Sequence, residues 1–218
     1  KASPFGDGKS GIYFDGSPST DKHRLEIGSS PALGTNAYTI DFWIYPISGY
    51  TSNATTFGYM FLDFRGDNTQ NTAPVFLMGK TNYQLKIENG NTGSAFISES
   101  SSTALTADSW NHVALVRENV NTDGCKLYIN GVLGATATDS TDWTATGSDF
   151  IGANYNGDHG LKGYIDEFRL VIGEAVFTSA FTPSKYRYGT AGATHEVSTA
   201  SNMKVLIHSD ISLDSSDS

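Results

Sequence analysis

WNHVALVRENVNTDGCKLYINGVL, residues 110–133, is the stretch that decides the fold. Side chains alternate along residues 110–117. Trp110, His112, Ala114 and Val116 share one face, and Asn111, Val113, Leu115 and Arg117 share the other. Both faces carry apolar residues, so the strand is expected to be central and covered on both sides. Residues 126–129 form a second strand. Asn130-Gly131 then closes a two-residue hairpin, because both turn positions require positive φ. His112 has no second histidine or carboxylate near it in sequence and reads as a hydrogen-bonded structural residue. Cys125 reads as a small core filler rather than a nucleophile.

The same period recurs outward from this hairpin. Residues 38–45, 57–64, 74–78, 83–87, 95–98, 149–151 and 163–171 read as strands, with Gly- and Asn-rich turns between them. Helical periodicity is nearly absent. Strands at roughly ten-residue spacing without helices imply an all-β, two-sheet antiparallel jelly-roll β-sandwich. A chain of 218 residues with 12% aromatic side chains has the length and the rings for one such core.

Charge narrows the function. With 14 Lys+Arg against 23 Asp+Glu the net charge is −9, which argues against a nucleic-acid partner. No run approaches 18 apolar residues, so no membrane-inserted helix is expected. One cysteine excludes an internal disulfide framework and a cysteine-based zinc site.

The chain divides into a body, residues 1–188, a Gly/Ala/Thr/Ser-rich linker, 189–202, and a C-terminal strand and tail, 203–218. An apolar strand left in water is an aggregation edge. Residues 204–208 are therefore expected to pair with an edge of the sandwich or with a neighbouring subunit. The start at Lys1 rather than Met gives the expectation of a processed product, or of a piece of a longer or repeated protein.

Four segments together resemble the laminin-G-like, concanavalin A-like lectin/glucanase superfamily. They are GIYFDG (residues 11–16), YTIDFWIYP (38–46), the 110–133 stretch, and GYIDEFRLVIGEAVFTSAFTPS (163–184). The forms IGANYNGDHGLKGYIDEFRL and FTSAFTPS are similar to those of marine bacteriophage virion proteins, tail fibres or decoration proteins. In those proteins a run such as 204–208 precedes the GIYFDG strand, whereas here it follows the body. The resemblance implies a jelly roll with a structural calcium held by Asp15 and Asp166. Phe168 and Leu170 share strand parity with Asp166, which would point that carboxylate toward the core, where it must be paired, hydrogen-bonded or on a metal. The alternative is that Asp15 caps its own turn and Asp166 accepts backbone N–H groups.

The 152–163 loop gathers Asn154, Tyr155, Asp158 and His159, and Trp143 lies in the loop before it. A flat ring beside amide and carboxylate groups is the chemistry of a sugar site. The alternative is a connection whose polar groups satisfy its own turn. Arg65-Gly66-Asp67 spells an integrin tripeptide that chance explains, and Asn53-Ala54-Thr55 fits a glycosylation sequon. Retaining glucanases of this fold need Glu-x-Asp-x-Glu or its longer form on one strand, and no Glu here is followed two positions later by Asp. The expectation is thus a non-enzymatic module binding a host-surface glycan, extracellular and on a virion exterior. Its other partners would be neighbouring virion proteins or further copies of itself. The rival readings are a purely structural virion protein and a repeat of a secreted bacterial adhesin.

Overall fold

The computed structural model describes residues 1–16, 23–29, 32–50, 58–66, 72–92, 95–98, 103–145 and 147–209. The sequon at Asn53, Asp67 of the tripeptide and residues 210–218 lie outside them. Among the described residues, thirteen strands form two antiparallel sheets. One has the order β1 (Ile12–Asp15), β12 (Lys162–Ile172), β3 (Tyr38–Pro46), β8 (Asn111–Arg117), β9 (Cys125–Ile129), β10 (Val132–Ala137), with β13 (Met203–Ile207) also paired to β12. The other runs β2 (Leu25–Ser29), β11 (Ser148–Ile151), β4 (Gly58–Asp63), β5 (Pro74–Gly79), β6 (Leu85–Asn89), β7 (Ala95–Ser98). Asn130 and Gly131 take φ of 52° and 79° and join β9 to β10, as the hairpin reading requires.

Alternation places the core. Tyr38, Ile40, Phe42 and Ile44 of β3 face the second sheet, and Phe42 packs edge-on against Phe61 and Phe76 with ring centroids 5.8 and 6.0 Å away. Every residue of β8 is buried. Val113 and Leu115 join the inter-sheet core, while Ala114 and Val116 join a smaller outer cluster with Tyr128 and Phe177.

The parity expected for Asp166 fails for an identifiable reason. Glu167 sits at φ 51°, and the β12–β3 register slips between Asp166 and Arg169. This bulge adds one residue to β12. Ile165 and Phe168 therefore both reach the core, and Asp166, Glu167 and Arg169 make their contacts on the outer side of the sheet.

That outer face is roofed by the chain beyond β12. Arg169 donates to both oxygens of Asp41 (2.8 and 3.1 Å) and to the His195 carbonyl (2.7 Å), and it stacks 3.6 Å over the Tyr188 ring. Tyr188 Oη donates to Asp41 Oδ2 at 2.7 Å, and His112 Nε2 lies 3.3 Å from the same oxygen. Burial pushes the Asp41 carboxyl up, but the Arg169 charge and the His112 contact outweigh it and hold the group below its ordinary range. Arg187 forms a second clasp, bonding Asp166 (2.9 and 3.1 Å) and Glu167 (2.8 Å). The terminal strand pairs within the chain, Ile207 opposite Phe168 and Met203 opposite Val171. Residues 189–202 follow the surface, with Ser198 bonded to Glu174.

Two outcomes are expected from this arrangement. Arg169→Met strands a buried carboxylate and should cost about 3–5 kcal/mol in urea unfolding, whereas Asp41→Leu with Arg169→Met recovers most of the loss. Deleting residues 203–218 bares part of the β12 edge and should lower the melting temperature by roughly 2–4 °C per kcal/mol lost in a chain of this size.

Candidate functional site

The loop between β11 and β12 does bring Asn154, Tyr155, Asp158 and His159 together, and the Asn154 side chain and the loop's backbone groups serve the turn. Asn154 Oδ1 accepts the N–H groups of Asn156 (3.0 Å) and Asp158 (2.8 Å), while its own N–H donates to the Asp158 carbonyl (3.1 Å). The Tyr155 N–H donates to Asp63 Oδ2 (3.0 Å), and its ring lies 4.8 Å below the Arg65 guanidinium. Arg65 is buried and clamps Asp63 with bonds of 2.8 and 2.7 Å, which removes the Arg-Gly-Asp motif from adhesion chemistry. His159 adopts φ 58°, and its carbonyl accepts the Met60 N–H at 2.8 Å.

Trp143 is a correction. Only 1% of it is exposed. Its indole N–H donates to Asp139 (2.8 Å), which also takes Arg117 (3.1 Å), and Phe96 packs 5.3 Å from the ring. Arg117 comes from β8 with its side chain wholly buried and needs this anion, so Asp139 turns inward to supply it and Trp143 follows. An indole buried this way has no face left for a sugar.

Asp15 and Asp166 do not form one cation site. Asp15 stands opposite Lys162, four residues from Asp166 along β12, or roughly 13 Å at strand rise. Asp15 pairs with His23 (2.8 Å), and Asp166 is saturated by Arg187 and the N–H groups of Glu167 and Ser209 (2.9 and 3.1 Å). These two residues do not fit a shared calcium.

Another set of side chains does converge on a surface. Tyr13, Tyr164 and Tyr45 of β1, β12 and β3 and Trp110, the residue before β8, lie side by side on the face turned away from the core. Ring centroids are separated by 4.9 Å from Tyr13 to Tyr164, 6.1 Å from Tyr164 to Tyr45 and 5.7 Å from Tyr45 to Trp110. Tyr13 is 49% exposed. Gly11 makes room for the row, since a Cβ there would come within 2.5 Å of the Trp110 ring. Trp110 also borders a groove of about 580 Å³ together with Phe5, Trp43, Asn130, Thr182 and Lys185. Such a volume suits a small oligosaccharide.

Both walls of the groove are anchored. The Trp110 indole N–H donates to the Ala2 carbonyl (2.8 Å), and Phe5 packs edge-on against Trp43 at 6.0 Å. Arg187 ties Asp7 of the N-terminal arm to the C-terminal arm. Burial pushes the Asp7 carboxyl up, but bonds from Ser3, Arg187 and the Lys9 N–H hold its pKa at about 2, so the clasp persists through the neutral range. Asn130 Oδ1 takes the His112 N–H (2.8 Å), which leaves its NH₂ donors for other partners. The rings stand in four separate segments, and parity with Phe168 and Leu170 pointed Tyr164 toward the core until the bulge in β12 reversed it. Only the sheet order makes them neighbours.

A family model described as the concanavalin A-like lectin/glucanases superfamily matches residues 12–176. A search of curated proteins found no match. Among solved structures, the chain is similar to the enzymatically active domain of tailspike protein 2 of bacteriophage CBA120. That match has 14% identity and a TM-score of 0.54, over 93% of this chain and 30% of that one. It is also similar to the binding domain of Paraclostridial Mosquitocidal Protein 1, with 15% identity and a TM-score of 0.50 over 81% of this chain and 44% of that one. Domain 4 of the arabinanase AbnA from Geobacillus stearothermophilus, in complex with arabinotriose, shares 24% identity at a TM-score of 0.46, over 68% of each chain. At these identities the likeness is one of fold.

The placement of Trp143 yields a separable outcome. Trp143→Ala should lower stability by about 3–5 kcal/mol in chemical denaturation, as for a large buried ring. Below the new melting temperature it should leave the surface groove unchanged, as read by near-ultraviolet circular dichroism of the remaining tryptophans.

Proposed function

The chain belongs to the concanavalin A-like lectin/glucanase superfamily, and we propose that it is a non-catalytic carbohydrate-binding module whose ligand lies along the aromatic row. The observation that carries this reading is the continuity of groove and row through Trp110. Phe5, Trp43 and Trp110 flank the groove, and Tyr45, Tyr164 and Tyr13 extend the surface beyond it. Sugars present one apolar C–H face and a rim of hydroxyls. Rings can stack on the first, while the Asn130 amide and the Thr182 hydroxyl can hydrogen-bond the second.

What supports a binding rather than a hydrolytic role is the state of the outer-face carboxylates. Asp41, Asp166 and Glu167 have fully buried side chains committed to Arg169 and Arg187. Placement on the exterior of a phage particle or a similar assembly is part of the proposal. Its support is the resemblance of residues 151–170 and 177–184 to virion proteins. A host-surface glycan is then the natural ligand.

A glycan array, followed by titration of the hits, tests the site. Trp110→Ala and Tyr45→Ala should each weaken binding roughly tenfold or more, as expected for central aromatic anchors, whereas Tyr155→Ala and Asp158→Ala should leave it intact. The reverse pattern would move the site to the 152–163 loop.

A further inference from the structure

We propose that the groove beside Trp110 selects an anionic saccharide, a uronic acid or another carboxylated sugar, whose carboxylate meets Lys185. This inference rests on the carbohydrate-binding reading and adds the sign of the ligand's charge. Lys185 is the charged side chain lining the groove; Phe5, Trp43, Trp110, Asn130 and Thr182 around it are neutral. It also lines the adjoining depression of about 340 Å³ beyond Pro183, beside Tyr186 and His195, so its ammonium stands between two concave surfaces.

The other cations nearby are committed. Arg187 is bonded to Asp7, Asp166 and Glu167, and Arg169 to Asp41. Elsewhere Lys86 pairs with Glu88 and Lys126 with Glu118. Lys185 makes no ion pair among the described residues. Among the described residues, no carboxylate lines the groove to cancel it. Next to Trp110 in the row, Lys1 lies 5.5 Å over the Tyr45 ring and adds to the same sign of potential.

A neutral sugar needs rings and hydrogen bonds, and it gains nothing from a full charge. A carboxylate held against aromatic walls gains from an ammonium with three donors, because the walls lower the local dielectric and focus the field. Negative charge over the remainder of the molecule repels anionic polymers elsewhere, which confines their docking to this face.

The test uses the full chain with pectate, alginate and hyaluronan, each beside its carboxyl-reduced form. At low salt at least one acid form should bind roughly tenfold more tightly than its reduced partner, the scale of one charge-assisted contact. Raising ionic strength from about 0.01 to 1 M shortens the screening length from about 30 to 3 Å and should erase that preference. Lys185→Met should collapse the affinity ratio toward one, Lys185→Arg should keep it, and Lys185→Glu should reverse it. Acid and reduced forms binding alike, at any salt and in the Lys185 variants, would overturn the inference while carbohydrate binding stands. Binding only to neutral glycans would overturn it as well. If no glycan of either kind binds and Trp110→Ala changes nothing, the carbohydrate reading itself falls and takes this inference with it.

Discussion

A buried guanidinium–carboxylate pair, Arg169 with Asp41, sets the terms for the outer face of the terminal-strand sheet. Both side chains are wholly inaccessible. Charges withdrawn from water are tolerated only when almost every donor and lone pair is met, and the sheet cannot meet them unaided. The remaining partners, the Tyr188 hydroxyl and the His195 carbonyl, come from the segment beyond β12. The chain must therefore turn back over the sheet. In doing so it brings Phe177 and Phe181 over His112, with ring centroids 5.8 and 5.6 Å away, and places residues 182–185 as one wall of the groove. A residue buried for stability thus determines where the exposed residues stand.

Much of the fold was legible because burial imposes a period on the chain. Strands β3, β8 and β12 announce themselves by alternation, and the β9–β10 turn by two residues that tolerate positive φ. The second strand, Leu25–Ser29, carried too little apolar alternation to be seen. Asp166 was misplaced for a sharper reason. A bulge costs one residue of register, and nothing in a run of Ile-Asp-Glu-Phe states where the slip occurs. The slip is fixed by partners distant in sequence, Arg187 and His208, which draw the Glu167 carboxylate outward.

The candidate site was less legible, and the two failures differ. Trp143 looked available because its neighbours are Asp142 and Thr144. Its burial follows from Arg117, twenty-six positions earlier, which requires Asp139, and Asp139 in turn takes the Trp143 indole N–H. The aromatic row posed the opposite problem. Tyr45, Trp110 and Tyr164 stood inside segments already read as strands, but parity with Phe168 assigned Tyr164 to the core, and the bulge that turned Asp166 outward turned Tyr164 with it. The order β1-β12-β3-β8 turns four separate rings into one surface, and strand order is a property of the closed sandwich, not of any local stretch.

The edge of β12 carries a last implication. β13 occupies its positions 168–171 and β1 its positions 162–165, and both run antiparallel to it. Read along that edge, residues 203–207 come first and residues 12–15 follow in the same direction, as one strand written in two pieces. The architecture is in this sense circular. A permuted chain that passed from Ile207 straight toward Ile12, and was opened instead at the exposed turn 119–123 between β8 and β9, would trace the same two sheets with the same neighbours.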